Sequence, residues 1–132
     1  MIPFLGFLPH QIPFRAVSAA HPVDDRTIHG TCFCSGADEL SRGAAPPVVM
    51  LVEAMAQIGG ALVFRRPGEA GYLSAIDACE ISVPPDPGDR IELQVVLEAS
   101  FGTMFRFEGR ALRDGTEIAR ARFYLAGTEE RD

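Results

Sequence analysis

Two polar side chains, Glu53 and Gln57, interrupt a long apolar segment that runs from Pro46 to Phe64. Because they are four residues apart, they share one face if the segment is helical. A carboxylate among apolar neighbours loses hydration, which favours its protonated form, and such a carboxyl group is a useful general acid. Glu53 and Gln57 are therefore the candidate catalytic residues. The alternative is structural: Glu53 hydrogen-bonds Gln57 or a facing arginine.

The length of this segment and its Ala, Met and Leu content favour a helix with proline in its first turn. Arg65-Arg66-Pro67-Gly68 follows, where cations suit the negative helix end and proline stops propagation. The polar pair near the centre indicates a buried helix and not a membrane span. A helix with so little polar surface must be covered all round. A sheet curled about it, closed by a second copy, is the simplest solution, so the sequence predicts a homodimer.

The rest of the chain predicts strands. Two precede the helix, from Phe14 to about Ala20 and from Arg26 to Cys34, joined through a turn that contains His21. A loop with one helical turn is predicted at 38–40. After the helix, four strands are predicted at 71–83, 91–97, 105–111 and 119–125, with a hairpin turn at Asp114-Gly115. The expected architecture is α+β, in a single domain over residues 1–132.

Composition excludes several classes of function. The formal net charge is −6, all 12 basic residues are arginine, and no run of them forms the stripe that nucleic acid would need. The spacing of Cys32, Cys34 and Cys79 suits neither a zinc site nor a disulfide framework. The apolar first eight residues have no basic region before them, so they do not indicate a signal peptide. We expect a cytoplasmic protein with reduced cysteines, without metal, cofactor, nucleic acid or membrane.

Four stretches carry a resemblance to a known family. Val52-Glu53-Ala54-Met55-Ala56-Gln57-Ile58-Gly59-Gly60 resembles the central-helix motif of the beta-hydroxyacyl-acyl-carrier-protein dehydratases of the FabZ/FabA type. Leu8-Pro9-His10-Gln11-Ile12-Pro13-Phe14 is similar to their N-terminal motif. Ser74-Ala75-Ile76-Asp77 with the turn at 83–90, and Phe105-Arg106-Phe107-Glu108-Gly109, match the strands after their helix. The matches run in order over nearly the whole chain.

The resemblance implies a hot-dog fold, in which an antiparallel sheet wraps around one long central helix. It also implies a dimer with the active site at the subunit interface and a tunnel for an acyl chain tethered through phosphopantetheine. In such enzymes a histidine removes the α-proton of the 3-hydroxyacyl thioester while the helix carboxylate, here Glu53, assists loss of the hydroxyl as water. A backbone amide near the helix start polarises the thioester carbonyl. Val48, Val49 and Gly60 are then expected to contact substrate.

The sequence departs from this family at the residue that serves as the catalytic base. The stretch before the helix is Gly36-Ala37-Asp38-Glu39-Leu40-Ser41-Arg42-Gly43, without histidine, and an ungapped match places Glu39 at the histidine position. Val48 replaces a glycine beside Pro47, which has no amide hydrogen. His10, His21 and His29 do not align with the catalytic histidine. We therefore expect weak or altered dehydration unless another residue supplies the base.

Two alternatives remain open from the sequence. The first is a hot-dog thioesterase, in which one helix carboxylate acts without histidine. The second is a non-catalytic subunit that pairs with an active dehydratase, or that only binds an acyl chain or carrier protein. The expected partner is an acyl carrier protein or a coenzyme A thioester. Because carrier protein is acidic, Arg65, Arg66 and Arg42 are candidate contacts, although they could equally cap the helix or be solvated.

Overall fold

The computed structural model describes residues 17–33, 47–86 and 88–128, without the side chains of 18 and 47–49. These ranges form six strands and one helix, in the predicted order of two strands, the helix and four strands. The elements are β1 (Val17–Pro22), β2 (Thr27–Phe33), α1 (Pro47–Val63), β3 (Gly71–Ile81), β4 (Arg90–Phe101), β5 (Met104–Arg113) and β6 (Thr116–Gly127). The predicted helical turn at 38–40 lies outside the described residues.

The six strands form one antiparallel sheet in the order β1-β2-β4-β5-β6-β3. The two edges are therefore β1 and β3, and β3 pairs with β6 although β4 follows it in the chain. The α+β architecture expected from the sequence is confirmed. None of the described helices combines the length and apolarity that crossing a bilayer requires.

The helix α1 packs on one face of this sheet. Met55 and Ile58 are fully buried against strand residues such as Phe107 and Phe123, whose rings stack at 5.5 Å. Close approach depends on glycine, because a Cβ on Gly109 would stand 2.5 Å from the sulfur of Met55. The core is therefore a layer between α1 and the inner face of the sheet.

The hairpin turns follow local backbone chemistry. Asp114 and Gly115 both have positive φ, at 52° and 82°, which fits the predicted two-residue turn between β5 and β6. The β1–β2 turn begins later than expected: Val23 donates its N–H to the carbonyl of Thr27 at 2.8 Å. The placement of His21 in a turn is therefore wrong, since it lies in β1.

Candidate functional site

Glu53 and Gln57 lie on one face of α1, one turn apart, as their spacing requires. Their environments differ. Gln57 is 4% exposed, the one buried polar residue of the described core, whereas the side chain of Glu53 is exposed. The apolar surroundings expected for Glu53 are not present in the single chain, because Val52 and Ala54 are buried on either side of it but the Glu53 side chain is open to solvent.

The amide of Gln57 is incompletely satisfied. Its Oε1 is fully inaccessible and has no hydrogen-bond partner among the described residues. Leaving a buried acceptor unpaired costs on the order of 1–3 kcal/mol. Because this oxygen is covered in the single chain, an N–H or O–H of a ligand or of another chain reaches it only if a covering side chain moves.

The face that carries Glu53 and Gln57 continues along the helix. Gly60 and Phe64 follow at the next turns, and the Phe64 N–H donates to the Gly60 carbonyl at 2.8 Å, so Phe64 extends the helical spacing. Both residues are buried. We call this line of four residues, Glu53, Gln57, Gly60 and Phe64, the site stripe.

The strand β3, which contacts the end of the site stripe where Gly71 meets Phe64, is incompletely covered. Ile76 in β3 pairs with the fully buried Phe123, which places Ile76 on the inner face of the sheet, yet it is 46% exposed. Ile81 is 36% exposed at the end of the same strand. Partial burial, with a smaller effect of Glu80, raises the pKa of the Cys79 thiol between them. The inner face of β3 is therefore an apolar surface open to solvent.

The predicted arginine contacts are only partly described. Arg65 and Arg66 are exposed immediately after α1, and the Arg66 backbone N–H donates to Glu69 Oε1 at 2.9 Å. Arg42 and the candidate base Glu39 lie outside the described residues. Val48 and Val49 belong to α1, but their side chains are not described.

Two histidines lie away from the site stripe. His21 and His29 are directly opposite each other on β1 and β2, with ring centroids 6.1 Å apart. His29 alternates with the buried Ile28 and Gly30, so it projects from the outer face of the sheet, opposite α1. Across the described ranges, no three His, Cys, Asp or Glu side chains are grouped as a metal would require.

Sequence reasoning missed the inner face of β3 and the end of the site stripe. Ile76 was part of a motif match, but no simple alternation marks its face, because β3 has register shifts at 73/75 and at 76/78. Phe64 was taken only as the last residue of the helix. Its spacing from Gln57 was the available signal.

Comparisons with known proteins agree with this architecture. No family model matches the chain. A 3-hydroxyacyl-[acyl-carrier-protein] dehydratase FabZ from Rhizobium rhizogenes is 33% identical over 130 residues, which cover 92% of this chain and 83% of that protein.

Two solved structures resemble the chain in fold. The dehydratase heterocomplex ApeI:P from Xenorhabdus doucetiae has a TM-score of 0.80 at 22% identity, covering 98% of this chain and 93% of that chain. A hypothetical thioesterase with coenzyme A from Streptococcus pneumoniae has a TM-score of 0.65 at 16% identity, covering 89% and 92%. Together with the antiparallel sheet and the one helix of the described residues, these confirm the hot-dog fold. On the identity and coverage shared with the Rhizobium enzyme, the chain belongs to the FabZ family of 3-hydroxyacyl-[acyl-carrier-protein] dehydratases.

Proposed function

We propose that this chain binds 3-hydroxyacyl thioesters on the site stripe, with Glu53 as the acid, and that dehydration requires a base from outside the stripe. The unpaired, buried Oε1 of Gln57 carries the proposal. An unsatisfied acceptor in a core is retained at a cost in stability, and the 3-hydroxyl of a bound thioester can supply the missing donor once a side-chain movement exposes the oxygen. Glu53, one turn away and exposed, is accessible to the same ligand.

In the proposed reaction the base accepts one proton from the substrate, and Glu53 donates one proton to it. The base takes a proton from C2, the electrons of that bond form the C2–C3 double bond, and the C3–O bond breaks. In this step the Glu53 carboxyl gives a proton to the departing hydroxyl, so water leaves, and the proton that the base took from C2 later passes to the Glu53 carboxylate. A positioned base contributes roughly 10²–10⁴-fold. Glu53 without such a base should therefore be a slow catalyst.

A second chain is proposed to complete the site. The apolar inner face of β3 lies at the sheet edge, where Ile76 and Ile81 are exposed in the single chain. A copy paired along β3 would cover these side chains and would bring another protein surface towards α1. We propose a homodimer joined in this way, with the thioester carried by acyl carrier protein or coenzyme A.

A heterodimer is the second candidate assembly. The ApeI:P structure that the chain resembles in fold is a dehydratase heterocomplex. A histidine-bearing homologue could supply the base that the segment at 36–43 lacks. In this arrangement Glu53 serves a site shared with the partner, and the chain alone remains inactive.

Crotonyl-thioester hydration, the reverse reaction, tests the function. The pure chain should hydrate crotonyl-CoA or its carrier-protein thioester roughly 10²–10⁴ times more slowly than the Rhizobium rhizogenes dehydratase. Glu53→Gln should abolish the residual rate, whereas Asp25→Asn, in the exposed β1–β2 turn, should not change it. Turnover equal to that of the reference enzyme would contradict the claim that the site lacks a base. A rate unaffected by Glu53→Gln would show that Glu53 does not take part in the reaction.

The same protein samples also distinguish the thioesterase and the heterodimer from the proposed function. Thiol release from acyl-CoA, lost in Glu53→Gln, would favour a thioesterase instead. Coexpression of the tagged chain with a histidine-bearing FabZ homologue of the same organism tests the heterodimer. Hydration that appears only in the copurified pair, and falls when Glu53 of this chain is replaced, would establish the shared site.

A further inference from the structure

Two histidine side chains face each other on the outer face of the sheet, on the side away from α1. His21 of β1 and His29 of β2 are directly opposite in the antiparallel pairing, so their side chains project on the same side. The side chain of His21 is exposed, and that of His29 is half-buried. Small solutes can therefore reach this pair, which lies across the sheet from the site stripe.

The imidazole nitrogens of the pair remain available to a ligand. Within the described ranges, neither ring makes a hydrogen bond, and the two rings meet edge to face at 72°. Neighbouring polar groups are already paired. Gln94, which lies opposite His29 on β4, accepts from Arg110 at 3.1 Å. In the turn after β1, Asp24 Oδ1 accepts the backbone N–H of Arg26 at 2.9 Å.

The separation of the two rings is close to that of two imidazoles bound to one metal ion. Their centroids are 6.1 Å apart. Because an imidazole nitrogen binds zinc at about 2.1 Å, two rings on a tetrahedral ion have centroids roughly 5.2 Å apart. The rings must approach by about 1 Å, and a rotation about the side-chain torsions of the exposed His21 supplies this without backbone movement.

We propose that His21 and His29 bind one divalent transition-metal ion, of the class of Zn²⁺, Ni²⁺ and Cu²⁺, for which neutral imidazole is a preferred ligand. In the described ranges no third His, Cys, Asp or Glu joins the pair. Water therefore fills the other positions, and the ion exchanges with solvent, unlike the ion of a closed four-ligand zinc site. Bound between the two rings, the ion joins the edge strand β1 to β2.

Titration of the wild-type protein with Zn²⁺ tests this site. Calorimetry should show one ion bound at the pair, and NMR should show the ring signals of both histidines moving together. His21→Asn and His29→Asn should each weaken binding at least about tenfold, because the advantage of two linked ligands is lost. Since a protonated imidazole cannot coordinate a metal, the wild-type affinity should also fall as the pH is lowered.

Two control variants distinguish the pair from other groups that bind zinc. Cys79→Ser removes an exposed thiol from β3, and His10→Asn removes the remaining histidine of the chain. Both should keep the wild-type affinity at the pair. Amide hydrogen exchange reports the link between the strands: Zn²⁺ should slow the exchange of β1 in the wild type and in both controls, but not in His21→Asn or His29→Asn.

Three results would overturn the metal site. They are the absence of binding at millimolar Zn²⁺, a wild-type affinity in both His21→Asn and His29→Asn, and movement of only one of the two ring signals. Zinc held by a cysteine elsewhere would give the second of these results. The hydration assay tests the proposed function separately, so failure of the metal site leaves the role of Glu53 in place.

Discussion

Glu117 is held between two arginines of the sheet. Arg120 Nε donates to its Oε2 at 3.0 Å, and Arg110 Nε donates to its Oε1 at 2.8 Å. These hydrogen bonds, from Arg120 and then Arg110, lower the pKa of Glu117 to about 2. The fold therefore stabilises the charged carboxylate in preference to the protonated form.

Glu117→Gln should make the protein less stable at neutral pH and less sensitive to acid. The native pKa of about 2 lies below the ordinary value of 4.5, so the unfolded chain takes up the proton first as pH falls. The contribution of Glu117 is complete above pH 4.5 and is lost as pH falls toward 2. Urea midpoints measured across this window should fall more steeply for wild type than for the variant. If the urea midpoints of wild type and Glu117→Gln fall equally steeply with pH, the role assigned to Glu117 is wrong. The control variant Asp25→Asn should show the wild-type dependence on pH.

The sequence was sufficient to place Glu53 and Gln57 on one helix face, because the helical period is fixed by backbone geometry. It was not sufficient to predict that Gln57 is buried and Glu53 exposed. Exposure depends on which part of α1 the sheet covers, and that is decided by strand pairings far apart in sequence, such as Ile76 with Phe123. The roles of Glu39 and Arg42, outside the described residues, remain sequence-based predictions.

At the scale of elements, the contact between the end of α1 and β3 depends on Gly71. A Cβ at this position would collide with the Phe64 ring and would lie 2.8 Å from the carbonyl oxygen of Ala126. Neither the ring, held by Phe105, nor the backbone carbonyl can move far. Glycine is required here by close packing, since its φ is not among the positive values.

Gly71→Ala should lower the free energy of unfolding by about 1–3 kcal/mol, the usual cost of overpacking a core. Gly60→Ala adds the same methyl to α1 without a close contact and should raise stability by up to about 1 kcal/mol, since alanine favours a helix. Equilibrium urea unfolding of the two variants measures the difference in sign. A Gly71→Ala protein as stable as the wild type would show that the ring of Phe64 is not fixed.

The elements themselves were largely predictable, because local signals specify them. Proline at 47 and the Arg65–Gly68 segment bracket the helix, and Asp114-Gly115 marks a hairpin whose positive φ values few other residues tolerate. The edge position of β3 was not predictable in this way. Strands that are consecutive in the chain usually pair, but β3 pairs with β6 and not with β4, which follows it in the chain. This pairing is determined by long-range packing on α1.

At the scale of the whole molecule, the two edges of the sheet differ in their suitability for pairing. The described part of the β1 edge ends at Pro22, which discourages addition of another strand at that end. The β3 edge has 11 residues, and its exposed apolar side chains include Tyr72 at 59% and Ile76 at 46%. A second chain is therefore expected at β3.

Ile76→Asp should convert the proposed dimer to a monomer. Because Ile76 is already half exposed, a carboxylate there costs a single chain little, whereas pairing along β3 would bury that charge without a partner. Sedimentation velocity should show a wild-type dimer and a folded Ile76→Asp monomer with an unchanged circular dichroism spectrum. Val23→Asp places the same charge on an apolar side chain 53% exposed in the β1–β2 turn, and should remain dimeric. If Ile76→Asp associates as tightly as the wild type, the second chain does not cover β3.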